Sequence, residues 1–269
     1  MSTEIPPRRR DSSESLQMQL ADLAIDPLEF EEFFSNGFGR PIIPCIVTEP
    51  LAREDLSETE IIQLAQFKNE RRKLSWLRGR RALKILLRDL EFVEQHFDFK
   101  MIDTSATFFP HPAFSLSHSQ DVAIAIACLA PAFGVGIDLE FVRPTKPQMS
   151  KFYLQEHERT WLQDLSNEER SCEQIRLWTV KEAVFKSDLN NLDRTLIKYS
   201  LADPRAETGK ASVPEYGGGT QEIEYKSKRF GNAWITIAIS YGEQNSEREV
   251  LKKIGVEEDR IGKSDGVSE

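Results

Sequence analysis

The sequence predicts an α+β fold assembled from two similar halves, on two observations. Two β-rich runs of related character, VAIAIACL (122–129) and AWITIAISY (233–241), recur far apart in the chain. Strong helical periodicity runs through NERRKLSWLRGRRALKILLRDL (69–90) and again through IRLWTVKEAVFK (175–186). Apolar residues therefore switch between the period of two that lines one face of a strand and the 3.6-residue period of a helix face. The halves are expected to meet near residues 141–146.

Taken in order, residues 1–20 are rich in Pro, Arg and Ser and read as disordered. IDPLEFEEFFSNGF (25–38) mixes aromatics with acids, and reads either as a short docked helix or as a partner-binding segment. IIPCIVTE, ending at Glu49, reads as a strand. Ser57 followed by Glu60 makes a capping-box start for a helix carrying Ile61, Ile62, Leu64 and Ala65. In the long helical pattern, Leu74, Leu77, Leu83, Leu86, Leu87 and Leu90 recur at helical spacing. FSLSHS (114–119) follows. VAIAIACL and GVGIDLE (134–140), separated by APAF, then read as an antiparallel hairpin. Residues 147–166 are helical in character. The divisions are an N-terminal extension (1–40, partly disordered), a first half (41–145), a second half (146–242) and a polar C-terminal tail (243–269). In the tail, Val250, Leu251 and Ile254 could support a short helix.

Composition narrows the function classes. The 269 residues are 39% hydrophobic and 9% aromatic, enough for a sizeable core. A net charge of −9 argues against a nonspecific nucleic-acid binder, which needs a basic footprint. Three scattered cysteines without CxxC spacing read as reduced intracellular thiols. The basic N-terminus is followed by no apolar stretch of secretory type, and no apolar run is long enough to span a bilayer, so a cytoplasmic location is expected.

Four features carry chemistry. Asp138 and Glu140 lie at i and i+2 of an extended run, hence on one face roughly 6.6 Å apart. At an effective dielectric near 20 they repel by about 2.5 kcal/mol, and a metal site is one reading of such a pair. Ordinary strand-end acids that discourage edge pairing are the alternative. Gly136, just before them, reads as room for an approaching ligand. Trp178, Glu182 and Lys186 share a helical stripe at i, i+4 and i+8, which by itself is an ordinary exposed pair. Ser117 and His118 could hold a phosphate through hydroxyl and imidazole donors, although a lone His is more often structural. Lys68, Arg71, Arg72, Lys73, Arg78, Arg80, Arg81, Lys84 and Arg88 form a basic cluster that reverses the local charge. It reads as either an exposed helix face or a site for a small multiply charged anion.

Together, SWLRGRRALK (75–84), FSLSHS, GVGIDLE and WTVKEAVFK (178–186) resemble the 4′-phosphopantetheinyl transferase family, of its larger surfactin-synthetase-activating type. The resemblance covers roughly residues 42–241. It implies a monomeric pseudo-dimer of two α+β halves, each with a small antiparallel sheet packed on a long helix. It also implies transfer of the phosphopantetheine arm of coenzyme A to a serine of an apo acyl or peptidyl carrier protein, with Mg²⁺ required and adenosine 3′,5′-bisphosphate released. Carried onto this chain, it makes Asp138, Glu140 and Glu182 metal ligands and Glu182 and Lys186 catalytic. Arg80, Ser117, His118 and Lys186 become coenzyme A contacts in this scheme, with Lys68 a weaker candidate and Lys181 of undefined role.

The chain departs from the family pattern in three places. FFPHPAF (108–114) lacks the lysine of a Gly-Lys-Pro-like segment, Lys84 stands where arginine is common, and the N-terminal extension has no counterpart. Two other readings stand beside it: a coenzyme A- or carrier-binding module without catalysis, and a carboxylate-metal nuclease or hydrolase, which the acidic chain disfavours.

Overall fold

In the computed structural model, residues 20–241 are described apart from 22, 24, 36, 37, 40, 91–97, 106–110, 112, 129–132, 216 and 217. The expectations for residues 1–19, for the tail from 242 onward and for most of 108–114 lie outside the described residues. Two antiparallel sheets form the fold, each covered by one long helix. The first, in the order β1–β3–β2, joins β1 (Ile42–Val47), β2 (Phe114–Ser119) and β3 (Val122–Cys128). The second runs β4–β8–β7–β6–β5 and contains β4 (Phe133–Phe141), β5 (Ser200–Leu201), β6 (Thr208–Pro214), β7 (Thr220–Phe230) and β8 (Ala233–Tyr241).

The composition of β3 explains the first layer. Its even-numbered positions (Val122, Ile124, Ile126, Cys128) enter the core between the sheets, while Ala123, Ala125 and Ala127 face a helix. Alanine on that face lets the helix axis come close, and both faces are buried, as a near-continuous apolar run requires. The helix is α3 (Glu70–Asp89), started by Asn69, whose side chain accepts from the Arg72 N–H, and packing through Ala82, Leu83 and Leu86. Before it, α2 (Glu58–Ala65) begins with the expected Ser57–Glu60 capping box.

On the second sheet lies α5 (Asn167–Ser187), which begins eight residues before the helical stretch read from the sequence, at a Ser166–Glu169 capping box. Leu177, Val180, Ala183 and Val184 pack on Ala211, Val213, Ile223, Tyr225 and Ala238. The expected helical character of 147–166 resolves into a 3-10 segment (Pro147–Phe152) and α4 (Glu156–Gln163).

The aromatic–acidic segment near the N-terminus is a docked helix, α1 (Pro27–Ser35). Phe30, Phe33 and Phe34 join the same apolar cluster as β1, β3, β4 and β8, so the extension closes the core between the sheets. Asp26 caps it through the Leu28 and Glu29 amides. Lys226 donates to the Phe33 carbonyl and Lys228 pairs with Glu29.

One expectation is corrected. VAIAIACL and GVGIDLE do not form a hairpin: β3 is the centre of its sheet, with β1 on one edge and β2 on the other, so no edge remains for β4. β4 crosses to the second sheet and pairs with β8, Asp138 opposite Thr236 and Glu140 opposite Trp234. β1 to β3 thus belong to the first sheet and β4 to β8 to the second. No helix among the described residues is long and apolar enough to cross a membrane.

Candidate active site

The site forms where β2, β4 and α5 converge. On β4, Val135, Ile137 and Leu139 point into the inter-sheet core, so the alternate residues Gly134, Gly136, Asp138 and Glu140 take the other face. The glycines lie under α5. A Cβ on Gly136 would stand 1.9 Å from the Ala183 carbonyl oxygen, and one on Gly134 2.0 Å from that of Ser187. Gly136 is thus required by the approach of the helix backbone; the reading of it as room for a ligand is corrected.

That close approach brings the helix stripe to the strand acids. Lys186 Nζ lies 2.7 Å from Asp138 Oδ1 and donates also to the Ile137 carbonyl at 3.1 Å. Asp138 Oδ1 accepts in addition from the Ser117 hydroxyl at 2.8 Å, while its Oδ2 is buried without a partner. Burial pushes the Asp138 carboxyl above its usual range; Lys186 and Ser117 oppose the rise and Glu140 adds to it. Glu140 Oε2 accepts from Ser119 Oγ at 2.8 Å and from Arg143 at 2.7 Å. Glu182, half-buried one turn before Lys186, is raised first by burial, with Lys186 opposing and the charges of Asp138 and Glu140 adding. The charges of Asp138 and Glu140 thus act on Glu182, and that of Glu140 on Asp138. Among the described residues, however, no three acidic, His or Cys side chains close on a single point.

Beside this cluster lies a cleft of about 660 Å³ lined by Phe67, Asn69, Arg71, Arg72, Ser75, Trp76 and His118. The Arg72 guanidinium sits 5.4 Å from the centre of the Phe67 ring, and the Phe67 and Trp76 rings are 5.8 Å apart. A basic wall with aromatic surfaces suits a phosphorylated ligand bearing a planar ring.

The other singled-out residues are distributed differently from expectation. Ser117 is not on the cleft: its one O–H goes to Asp138, and its oxygen accepts from the Leu139 amide at 3.1 Å. Arg80 also turns away, donating from Nη1 to the Thr104 carbonyl and hydroxyl and lying 5.0 Å from the Trp76 ring centre; its Nε is buried without a partner. Lys68 is exposed and does not line the cleft. Lys181 faces away from the acids, in a fully buried 2.6 Å pair with Glu158, and donates to the Tyr199 carbonyl. It ties α4 and the residue just before β5 to α5. Most of the remaining basic cluster is used internally: Arg78 on Asp121, Arg81 on Glu49, Lys84 on Glu60 and Lys73 on Glu70. Arg71 and Arg72 are the members that face the cleft, and nothing local in the sequence separates them from their neighbours.

Two comparisons bear on this arrangement. A family model described as the 4′-phosphopantetheinyl transferase superfamily matches residues 134–238, which take in β4, α5 and the second sheet through β8. The chain is also 36% identical over 76 residues to "4′-phosphopantetheinyl transferase HetI" of Nostoc sp., a match covering 28% of this chain and 31% of that relative. The chain thus spans about a third of the length of the curated relative it matches. What residues 134–238 are similar to, with Asp138, Glu140, Glu182 and Lys186 among them, is the 4′-phosphopantetheinyl transferase superfamily.

Proposed function

We propose that this protein is a phosphopantetheinyl transferase: it moves the 4′-phosphopantetheine arm of coenzyme A onto a serine of an apo acyl or peptidyl carrier protein and releases adenosine 3′,5′-bisphosphate. The observation that carries this reading is the Asp138–Lys186 contact between β4 and α5, with Glu182 and Glu140 electrostatically coupled to it and a basic cleft alongside.

In this reading Arg71, Arg72 and His118 hold phosphate oxygens, and Phe67 and Trp76 offer aromatic surface to the nucleoside end. Lys186, paired with Asp138 and within electrostatic reach of His118 on the cleft, contacts the pyrophosphate in this reading. The carrier serine oxygen forms a bond to the phosphorus bearing the pantetheine arm, and the phosphoanhydride bond breaks. The bridging oxygen leaves with the bisphosphate. A serine hydroxyl is a weak nucleophile, so its proton needs an acceptor. Glu182 is assigned that role, as the half-buried carboxylate one helical turn before Lys186.

The donor chemistry suits a hard divalent cation that takes one or two carboxylates and completes its shell with water and substrate phosphate. No three such side chains close on one point among the described residues. The donor set is all carboxylate oxygen, and Asp138 Oδ2 is buried with no partner. Ligands drawn from Asp138, Glu140 and Glu182 would hold Mg²⁺, which when bound supplies positive charge to the pyrophosphate as the bond to the leaving group breaks. The protein acts as a cytoplasmic monomer on carriers of fatty-acid, polyketide or nonribosomal-peptide synthesis.

The direct test incubates the protein with coenzyme A, Mg²⁺ and several apo carriers and weighs the carriers by mass spectrometry. A mass gain of one phosphopantetheine arm is expected. Failure with every carrier sinks the transferase reading and leaves a binding module without catalysis.

A further inference from the structure

The sheets meet along a seam of three alternate serines on β2. Ser115, Ser117 and Ser119 are all buried and all face β4, where a backbone ladder would otherwise run. Ser115 Oγ accepts from the Ile137 amide at 3.0 Å, and Ser117 Oγ from the Leu139 amide at 3.1 Å. Two of the three also reach a carboxylate: Ser117 donates to Asp138 Oδ1 and Ser119 to Glu140 Oε2, each at 2.8 Å.

The two carboxylates are held in the same way. In each, one oxygen takes a seam hydroxyl and a cationic side chain: Lys186 on Asp138 Oδ1, Arg143 on Glu140 Oε2. In each, the second oxygen has no hydrogen-bond partner among the described residues, and for Asp138 that oxygen is buried. A carboxylate pinned through one oxygen has its rotation fixed and presents the other to a ligand. Two like charges on one face would otherwise turn apart, because their repulsion favours separated rotamers.

We propose that Ser119 is a positioning residue of the cation site: its hydroxyl anchors Glu140 through Oε2 so that the carboxylate stands ready, beside the similarly anchored Asp138, to bind a divalent ion. The proposal rests on the reading of Asp138 and Glu140 as metal ligands. Partners that orient ligating groups typically change metal affinity by about 10- to 100-fold when removed.

Ser115 provides the comparison, since it belongs to the same seam but bonds only backbone. Manganese(II) binding to the full chain, followed by the loss of free-ion electron paramagnetic resonance signal, is measured for the wild type, Ser119→Ala and Ser115→Ala, along with each thermal midpoint. Ser119→Ala is expected to weaken Mn²⁺ binding about tenfold. Ser115→Ala should stay within about twofold of wild type even where its thermal midpoint falls as far. Unchanged Mn²⁺ affinity in Ser119→Ala overturns the proposal, and so does an equal loss in Ser115→Ala, which would make the seam merely structural. A wild-type protein that binds no Mn²⁺ overturns the metal-ligand reading itself, and the proposal with it.

Discussion

Gly136 on β4 and Ala183 on α5 meet so closely that a Cβ on the glycine would stand 1.9 Å from the Ala183 carbonyl oxygen. This contact sets the depth at which the helix sits on the sheet, and so whether Lys186 can reach Asp138. Backbone cannot yield as a flexible side-chain end can. Gly136→Ala is therefore expected to destabilise the protein by about 3 kcal/mol or more, the upper range for overpacking. Denaturant unfolding checks it; a variant within about 0.5 kcal/mol of wild type would show that the helix can slide.

In the proposed reaction, Glu182→Gln removes the assigned proton acceptor while keeping size and polarity. Transfer to an apo carrier should fall by about 10²- to 10⁴-fold, the usual contribution of a general base. Coenzyme A binding, followed by calorimetry, should persist. Undiminished transfer would move the base role elsewhere.

Arg71→Ala and Arg72→Ala should each weaken coenzyme A binding about tenfold or more, as expected for loss of a charge-assisted phosphate contact. The weakening should grow less at high salt, where the wild type also binds poorly. Calorimetric titration at two ionic strengths separates these cases, and an unaffected affinity in both variants would empty the cleft of its assigned ligand.

Lys84 and Glu60 form a fully buried pair at 2.6 Å that fastens α3 to the start of α2. Burial pushes the Glu60 carboxyl up, but Lys84, the Thr104 hydroxyl and the Ser57 amide together hold it below its ordinary 4.5. A depressed carboxyl stabilises the fold above the unfolded value, so the wild type should lose this contribution as pH falls below about 4.5 and through the folded value. Lys84→Met strands a buried anion and should cost about 3–5 kcal/mol at neutral pH. Because Glu60 then favours its protonated form in the folded state, the deficit should shrink as pH falls. Urea midpoints between pH 4 and 7 read both slopes; a deficit independent of pH would mean that packing, not charge, is what Lys84 supplies.

Much of this fold is legible locally. Capping pairs such as Ser57–Glu60 and apolar spacing at 3.6 or 2 residues act within a few positions of the chain, so the long helices and most strands follow from neighbouring residues. The i, i+2 placement of Asp138 and Glu140 and the i, i+4 placement of Glu182 and Lys186 follow for the same reason. Ser115, Ser117 and Ser119 carry a further local signal, since their alternation in FSLSHS is a strand face waiting for a partner.

What only tertiary structure decided was which surfaces those faces met. Alternation assigns β4 two faces but names no neighbour, and the strand chose β8, far along the chain, because both edges of β3 were already taken. Gly136 makes room in either reading; the helix backbone, not a ligand, fills it. Nine basic residues in one cluster are alike to any local rule, yet acids brought from other elements engage several of them, and Arg71 and Arg72 are left facing the cleft. The sequence by itself determined the elements and the chemistry each could carry, because those depend on short-range sterics and periodicity. Their pairing depended on contacts between distant segments, where shape and charge are compared only once the chain has closed on itself.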